Sequence, residues 1–201
     1  MKPVLREIVV ATQNAGKIAE IIQALAHLPV KVIPLSDCGT FPEPFEDGTT
    51  FEDNAIIKAR HYACLTGKPC LADDSGLEVD ALGKVPGVHS ARYAGEAATD
   101  EDNNRKLLQA LQDVPVTKRT GRFRCVLALA TPHKVLLTAE GVCEGLILLQ
   151  PEGDQGFGYD PLFLVTNLHK TMAQMTVEEK NRISHRGQAL EKFVTRIKAG
   201  S

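Results

Sequence analysis

The sequence predicts an α/β protein with an elongated mixed central β-sheet flanked by helices, in two lobes with a cleft between them, the usual place for an active site. Three observations carry this. The chain opens with strand, helix and strand patterns in succession, a β-α-β start that implies a right-handed crossover and a parallel pair. Its middle holds a run, Cys125 to Ala130, that is apolar at every position, as in a strand covered on both faces. Helical periodicity then returns at the end of the chain.

In order, Glu7 to Ala11 is a β-branched strand, followed by a turn and a helix from about Lys17 to Leu28. There Ile18, Ile21, Ile22 and Leu25 share one face. Val30 to Pro34 is the second strand. A loop rich in proline, glycine and acid covers Ser36 to Thr50, and a helix follows from Phe51 to Thr66 with Gly67 as its stop. Pro69 to Asp73 reads as a strand, closed by Asp73 and Asp74. Ser75 to Ala98 has glycines at 76, 83, 87 and 95 and reads as loop with short strands. Thr99, with Asp102 three residues on, caps a helix through Leu111. Arg122 to Thr131 is the central strand, and Lys134 to Glu140 and Val142 to Leu149 are its meander neighbours. After a glycine-rich segment, Pro151 to Tyr159, Leu162 to Val165 forms a short strand. Thr176 and Glu179 form a second capping signature, and Ala189, Leu190, Phe193, Val194 and Ile197 mark the final helix, ended by Gly200.

The 201 residues carry 23 basic and 25 acidic groups, a net charge of −2, with 43% hydrophobic residues. One domain of this length buries about 70% of its unfolded surface. The near-neutral balance argues against a nucleic-acid partner, which calls for a strongly basic face. No apolar run approaches the roughly 18 residues of a membrane span. Arg6 and Glu7 interrupt the apolar core that a secretory leader would need, so the expected location is cytoplasmic. Five scattered cysteines with no C-x-x-C pair fit a reducing compartment. His61 and Cys64, three apart on a helix, lack the second ligand pair of a soft-metal site and read as core residues.

Four groups of residues are chemically suggestive. Thr12, Gln13, Asn14, Ala15, Gly16 and Lys17 lie between a strand and a helix start. Unpaired N–H groups and the helix dipole favour an anion there, although a polar cap explains the same residues. From Glu43 to Asp80, nine acids face three bases, a sum of −6. Most suit a solvated face, while Glu46, Asp73 and Asp74 are candidates for Mg²⁺, a hard cation held by one or two carboxylates and substrate phosphates. Residues 166 to 201 sum to +4, with Lys180, Arg182, His185 and Arg186 clustered near the last helix, as donors to phosphate or to a keto oxygen or as a solvated face. Phe157, Gly158, Tyr159 and Asp160 put aromatics in a glycine-rich loop, where a base can stack or a turn can pack. Together the four describe a nucleoside triphosphate pocket.

At these motifs the chain closely resembles the inosine triphosphate pyrophosphatase family, the XTP/dITP diphosphatases. The matching blocks are Thr12 to Lys17, Phe51 to Arg60, Ala72 to Leu77, Pro86 to Tyr93, Phe157 to Pro161 and Ser184 to Leu190, in the family's order across nearly the whole chain. The resemblance implies a homodimeric, Mg²⁺-dependent enzyme that cuts a non-standard purine nucleoside triphosphate (ITP, dITP, XTP) into monophosphate and pyrophosphate. It also implies residue roles. Thr12 to Lys17 and Ser75 would bind the triphosphate, and Lys58 would add charge there. Glu46 and Asp74 would hold the metal, with Asp74 accepting the proton of the attacking water. Phe157, Gly158, Tyr159, Asp160, Lys180, His185 and Arg186 would form the base pocket. Gln13 stands where the family usually has glycine. A related Maf-like pyrophosphatase is disfavoured by Ser184-His185-Arg186, and a non-catalytic nucleotide-binding regulator by the presence of Glu46 and Asp74.

Overall fold

The computed structural model describes residues 5–200; the first four residues of the stretch weighed as a leader lie outside the described residues. The strands are β1 (Glu7–Val10), β2 (Lys31–Pro34), β3 (Cys70–Val79), β4 (Val85–Pro86), β5 (Thr120–Ala130), β6 (Val135–Ile147), β7 (Phe163–Val165) and β8 (Lys170–Thr171). The helices are α1 (Ala15–Leu25), α2 (Phe51–Thr66), α3 (Asp100–Ala110), α4 (Val177–Ile183) and α5 (His185–Gly200). One open, mixed sheet runs β2-β1-β3-β5-β6-β7-β8, with β4 paired to β3. β1 is parallel to both β2 and β3, and the remaining pairs are antiparallel.

Alternation along the strands sends neighbouring residues to opposite faces. Ile8, Val10, Leu71, Leu127 and Leu129 pack against Ile21 and Leu25 of α1 and Leu190 and Phe193 of α5. Val9, Cys70, Ala72, Val126 and Ala128 pack against Ala55, Ala59 and Ala63 of α2, whose small side chains at four-residue spacing let the helix lie close to the sheet. This double cover explains the unbroken apolar run in β5. A further core unites Leu77, Val79, Phe123 and Ile147 with Leu107 of α3, with Leu111 just after it and with Tyr159, Phe163 and Met172, and it forms the second lobe.

The helix signals hold. Thr99 and Asp102 make a reciprocal capping box, as do Thr176 and Glu179, and Gly67 ends α2 in the left-handed conformation at φ 68°. α1 begins at Ala15, two residues before its expected start, because the Asn14 side chain accepts the Lys17 N–H and caps it.

Two expectations about strands are corrected. β3 does not close at Asp73 and Asp74 but continues to Val79, pairing with β5 from Cys70 to Val79, so both aspartates lie in mid-strand. Lys134 to Glu140 and Val142 to Leu149 are not two meander strands but the single β6, since its ladder to β5 runs straight through Gly141. Gly141 is a packing device instead: a methyl group there would collide with the His185 carbonyl at the start of α5.

Candidate active site

β1 is the point where the chain order reverses. α1 leads from it to β2 on one side, and α2 then carries the chain back to β3 on the other. Crevices beyond the carboxyl ends of strands at such a switch point are where open α/β sheets bind ligands. β1 stops at Val10, opposite Leu71, whereas β3 runs on. Carbonyls of Pro69 and Leu71 accept from β1-side N–H groups, and Leu77 N–H reaches Ser90 Oγ (2.9 Å). Residues 69, 71, 73, 75 and 77 therefore turn their backbone polar groups to the same edge, away from β5. Between Leu71 and Leu77 no strand among the described residues covers that edge, and the Thr12–Lys17 turn and helix start stand beside it.

The side chains of β3 reach both faces from this edge. On the α1/α5 face, Asp73 Oδ2 lies 3.0 Å from Lys17 Nζ and 3.2 Å from Arg186 Nη2, which also donates to Ser75 Oγ (2.8 Å). Arg186 is fully buried and gives another N–H to Glu20, and Glu20 in turn lies 2.7 Å from Lys180. Lys180 closes the circuit at Asp160 (2.8 Å), whose Oδ2 also accepts the Phe157 N–H (3.0 Å). Burial would raise Asp73, but Lys17, Arg186 and Lys58 outweigh it and hold the carboxyl well below the usual range. Glu20 is lowered in the same way: burial opposes, and Arg186 and Lys180 prevail.

The cavity beside this network, about 120 Å³, is lined among others by Asn14, Lys17, Ser75, Phe157, His185 and Arg186. Phe157 packs directly on Gly16, and its ring lies 4.9 Å from the Lys180 ammonium and 5.6 Å from the Arg186 guanidinium. His185 stacks on Phe123 (centroids 4.7 Å apart, 16° between planes), and its Nδ1 is buried without a partner among the described residues. Burial, with Arg186 and Lys180 nearby, pushes its pKa well below the ordinary value, so the ring is neutral at physiological pH. Tyr159 serves the core: its hydroxyl donates to the Ser90 carbonyl (2.8 Å).

On the α2 face, Lys58 Nζ sits between Asp74 Oδ1 (2.8 Å) and Glu46 Oε2 (3.2 Å), and Asn54 Nδ2 lies 3.4 Å from Asp74 Oδ2. Burial lowers and Asp74, Asp73 and Glu46 raise the Lys58 pKa, with a net rise, so the ammonium is fully charged. Two carboxylates already converge on one cation here. This donor set suits Mg²⁺, which takes one or two carboxylates and fills its remaining positions with water and phosphate oxygens. His61 and Cys64 are not the core residues expected, since His61 is half-buried and Cys64 exposed, and they bond separately to the carbonyls of Pro42 and Pro132.

The structure thus brings Lys17, Ser75, Phe157, Gly158, Tyr159, Asp160, Lys180, His185 and Arg186 around one cavity. It places Glu46, Lys58 and Asp74 together on the other face of the same strand. Thr12 and Gln13 lie in the turn ahead of α1, and Ala15 is its first residue. Arg182 stands apart, paired with Glu178 on the exposed side of α4. Sequence reasoning missed Glu20, a carboxylate on an otherwise apolar helix face, and Asn54, which follows the Thr50–Asp53 capping box that starts α2.

A switch-point crevice with a helix start, paired carboxylates and an aromatic-lined cavity is the arrangement of an open α/β protein of the nucleotide-binding kind. Comparison with known proteins makes the assignment particular. The sequence model of the Ham1 family matches residues 8–196, and the chain belongs to that family. It is 56% identical over 183 residues to a dITP/XTP pyrophosphatase of Syntrophobacter fumaroxidans, covering 91% of this chain and 78% of the relative. A dITP/XTP pyrophosphatase of Geobacter sulfurreducens is 53% identical, with 92% and 94% covered. The solved structure of a HAM1 protein from Coxiella burnetii superposes with a TM-score of 0.87 at 46% identity, covering 97% of this chain and all of that one.

Proposed function

We propose that this protein hydrolyses non-standard purine nucleoside triphosphates, dITP, XTP and ITP, to the monophosphate and pyrophosphate. The observation that carries the reading is the free edge of β3, with the Asp74–Lys58–Glu46 group on one side and the Phe157 and His185 cavity on the other. A nucleotide crossing that edge has its base among rings and its phosphates beside carboxylates and lysines.

The start of α1, through the Ala15 and Gly16 N–H groups, and the Lys17 ammonium hold the triphosphate, and Ser75 adds its hydroxyl and its edge-facing N–H. Asp74 orients a water and takes its proton as the oxygen attacks the α-phosphorus. The bond to the β-phosphate breaks and pyrophosphate leaves, with Lys58 neutralising developing charge. Glu46 and Asp74 would hold Mg²⁺, which supplies charge neutralisation when bound. At the other end Phe157 stacks on the base. Lys180 and the neutral His185 supply polar contacts suited to a 6-keto purine, and adenine, with an amine at that position, leaves buried groups unpaired. Near-neutral charge supports a small-molecule substrate rather than nucleic acid, and no helix among the described residues is long and apolar enough to cross a membrane. The five free thiols fit a cytoplasmic location, and the family resemblance supports a homodimer.

The test is a nucleotide panel with Mg²⁺ and separate detection of pyrophosphate and orthophosphate. Pyrophosphate release from ITP, dITP and XTP well above that from ATP is the expected result. Orthophosphate release, or equal rates with ATP, refutes the reading.

A further inference from the structure

We infer that Asp100 and Asn104 of α3 are positioning residues for the base-stacking ring, an inference that rests on the base-pocket reading above. The turn that carries Phe157 is built on two glycines with positive φ, Gly156 at 79° and Gly158 at 61°. Such a turn has little conformational preference of its own. From within it is tied at Asp160, which accepts the Phe157 N–H. A second restraint comes from α3. Asp100 Oδ2 accepts the Gly158 N–H at 2.7 Å, and Asn104 Nδ2 donates to the Gly158 carbonyl at 2.9 Å.

The two residues are four apart and so share one face of the helix. They grip both polar groups of the residue that follows Phe157. The helix itself is held firmly. Its start is fastened by the Thr99–Asp102 capping box, and Leu107 and Leu111 are fully buried. Asn103 accepts the Ala94 N–H (2.8 Å) and donates to the Ala91 carbonyl (3.1 Å), which joins α3 to the segment before it. Phe157 thus stands between the phosphate-side turn at Gly16 and a rigid helix of the second lobe. Neither Asp100 nor Asn104 is needed at the reacting phosphorus. Asp100 also borders the cavity and Asn104 does not, so Asn104 isolates the effect that passes through the ring, which should fall on recognition of the base.

The experiment compares Asp100→Ala, Asn104→Ala and Asp100→Asn in the full chain, with Phe157→Ala as reference. Measured are kcat and KM for ITP, the inhibition constant of inorganic tripolyphosphate, which has no base, and Tm. Loss of a hydrogen bond to a charged group predicts about a tenfold higher KM for ITP in Asp100→Ala, with kcat within about twofold and tripolyphosphate inhibition unchanged. Asp100→Asn keeps an acceptor and should restore most of the loss. If Asp100→Ala and Asn104→Ala leave KM unchanged while Phe157→Ala raises it, the positioning role is refuted and the base pocket stands. If the alanine variants weaken tripolyphosphate and ITP equally, the residues are merely structural and the inference falls. If Phe157→Ala itself leaves KM unchanged, the base-pocket reading fails and takes the inference with it.

Discussion

Asp73 and Asp74 are adjacent in β3 yet serve opposite faces of the sheet: Asp73 meets Lys17 and Arg186, and Asp74 meets Lys58. The strand's two-residue period enforces the division. One carboxylate sits in a network that binds helices to the sheet, and the other stands with Glu46 on the Lys58 ammonium.

This division predicts different losses. Asp74→Asn should lower kcat for ITP by about 10²-fold or more while nucleotide affinity remains measurable by calorimetry. Asp73→Asn removes the partner of two buried or half-buried cations and should destabilise the fold by about 3–5 kcal/mol in urea unfolding. Near-normal turnover in Asp74→Asn would move the proton acceptor elsewhere.

Acid should expose the Asp73 network. A carboxyl whose pKa is depressed in the folded state stabilises above its unfolded pKa, and the contribution is lost as pH falls through the folded value. The stability gap between the parent and Asp73→Asn should therefore be constant near neutrality and narrow below about pH 4. Urea titrations across that range check this, and a gap that widens in acid would contradict it.

Arg186→Ala should cost about 3–5 kcal/mol of stability, since it breaks two buried ion pairs and leaves Glu20 with Lys180 and Asp73 with Lys17 as their remaining cations. The guanidinium is engaged by Glu20, Asp73 and Ser75, so a change in base preference in this variant would accompany lost stability. Denaturant midpoints measured beside the ITP-to-ATP rate ratio separate the two effects. A fully stable variant would show that the network is dispensable.

Thiol chemistry should be confined to the outside of the molecule. Burial pushes the Cys125 thiol up to about 12 and those of Cys70 and Cys143 up to about 11, which leaves almost no thiolate at pH 8. Exposed Cys64 should react first with a disulfide reagent, half-buried Cys38 next, and the other three only on unfolding. Time-resolved labelling with peptide mapping gives the order.

Much of the molecule was legible in local pattern. The capping pairs Thr99–Asp102 and Thr176–Glu179, the apolar run of β5 and the glycine stop of α2 depend on residues a few positions apart. The end of β3 was not legible, because Ser75 and Gly76 read as a turn until the full ladder with β5 extends the strand through them. Glu20 was hidden for a similar reason. On α1 it is one acid beside isoleucines, and its meaning comes from Lys180 and Arg186 on helices far along the chain.

By itself the sequence determined the α/β class, the polar turn ahead of the first helix, the acidic and basic groups and the family they resemble, since these rest on residue types and short spacings. Only the tertiary structure decided which groups meet. It joined Arg186 to Asp73 across 113 residues and to Glu20 across 166, and it set Asp74 apart from both on the other face of β3. The physical reason is that a strand's alternation is local, but the helix covering each face is chosen by how the whole chain packs.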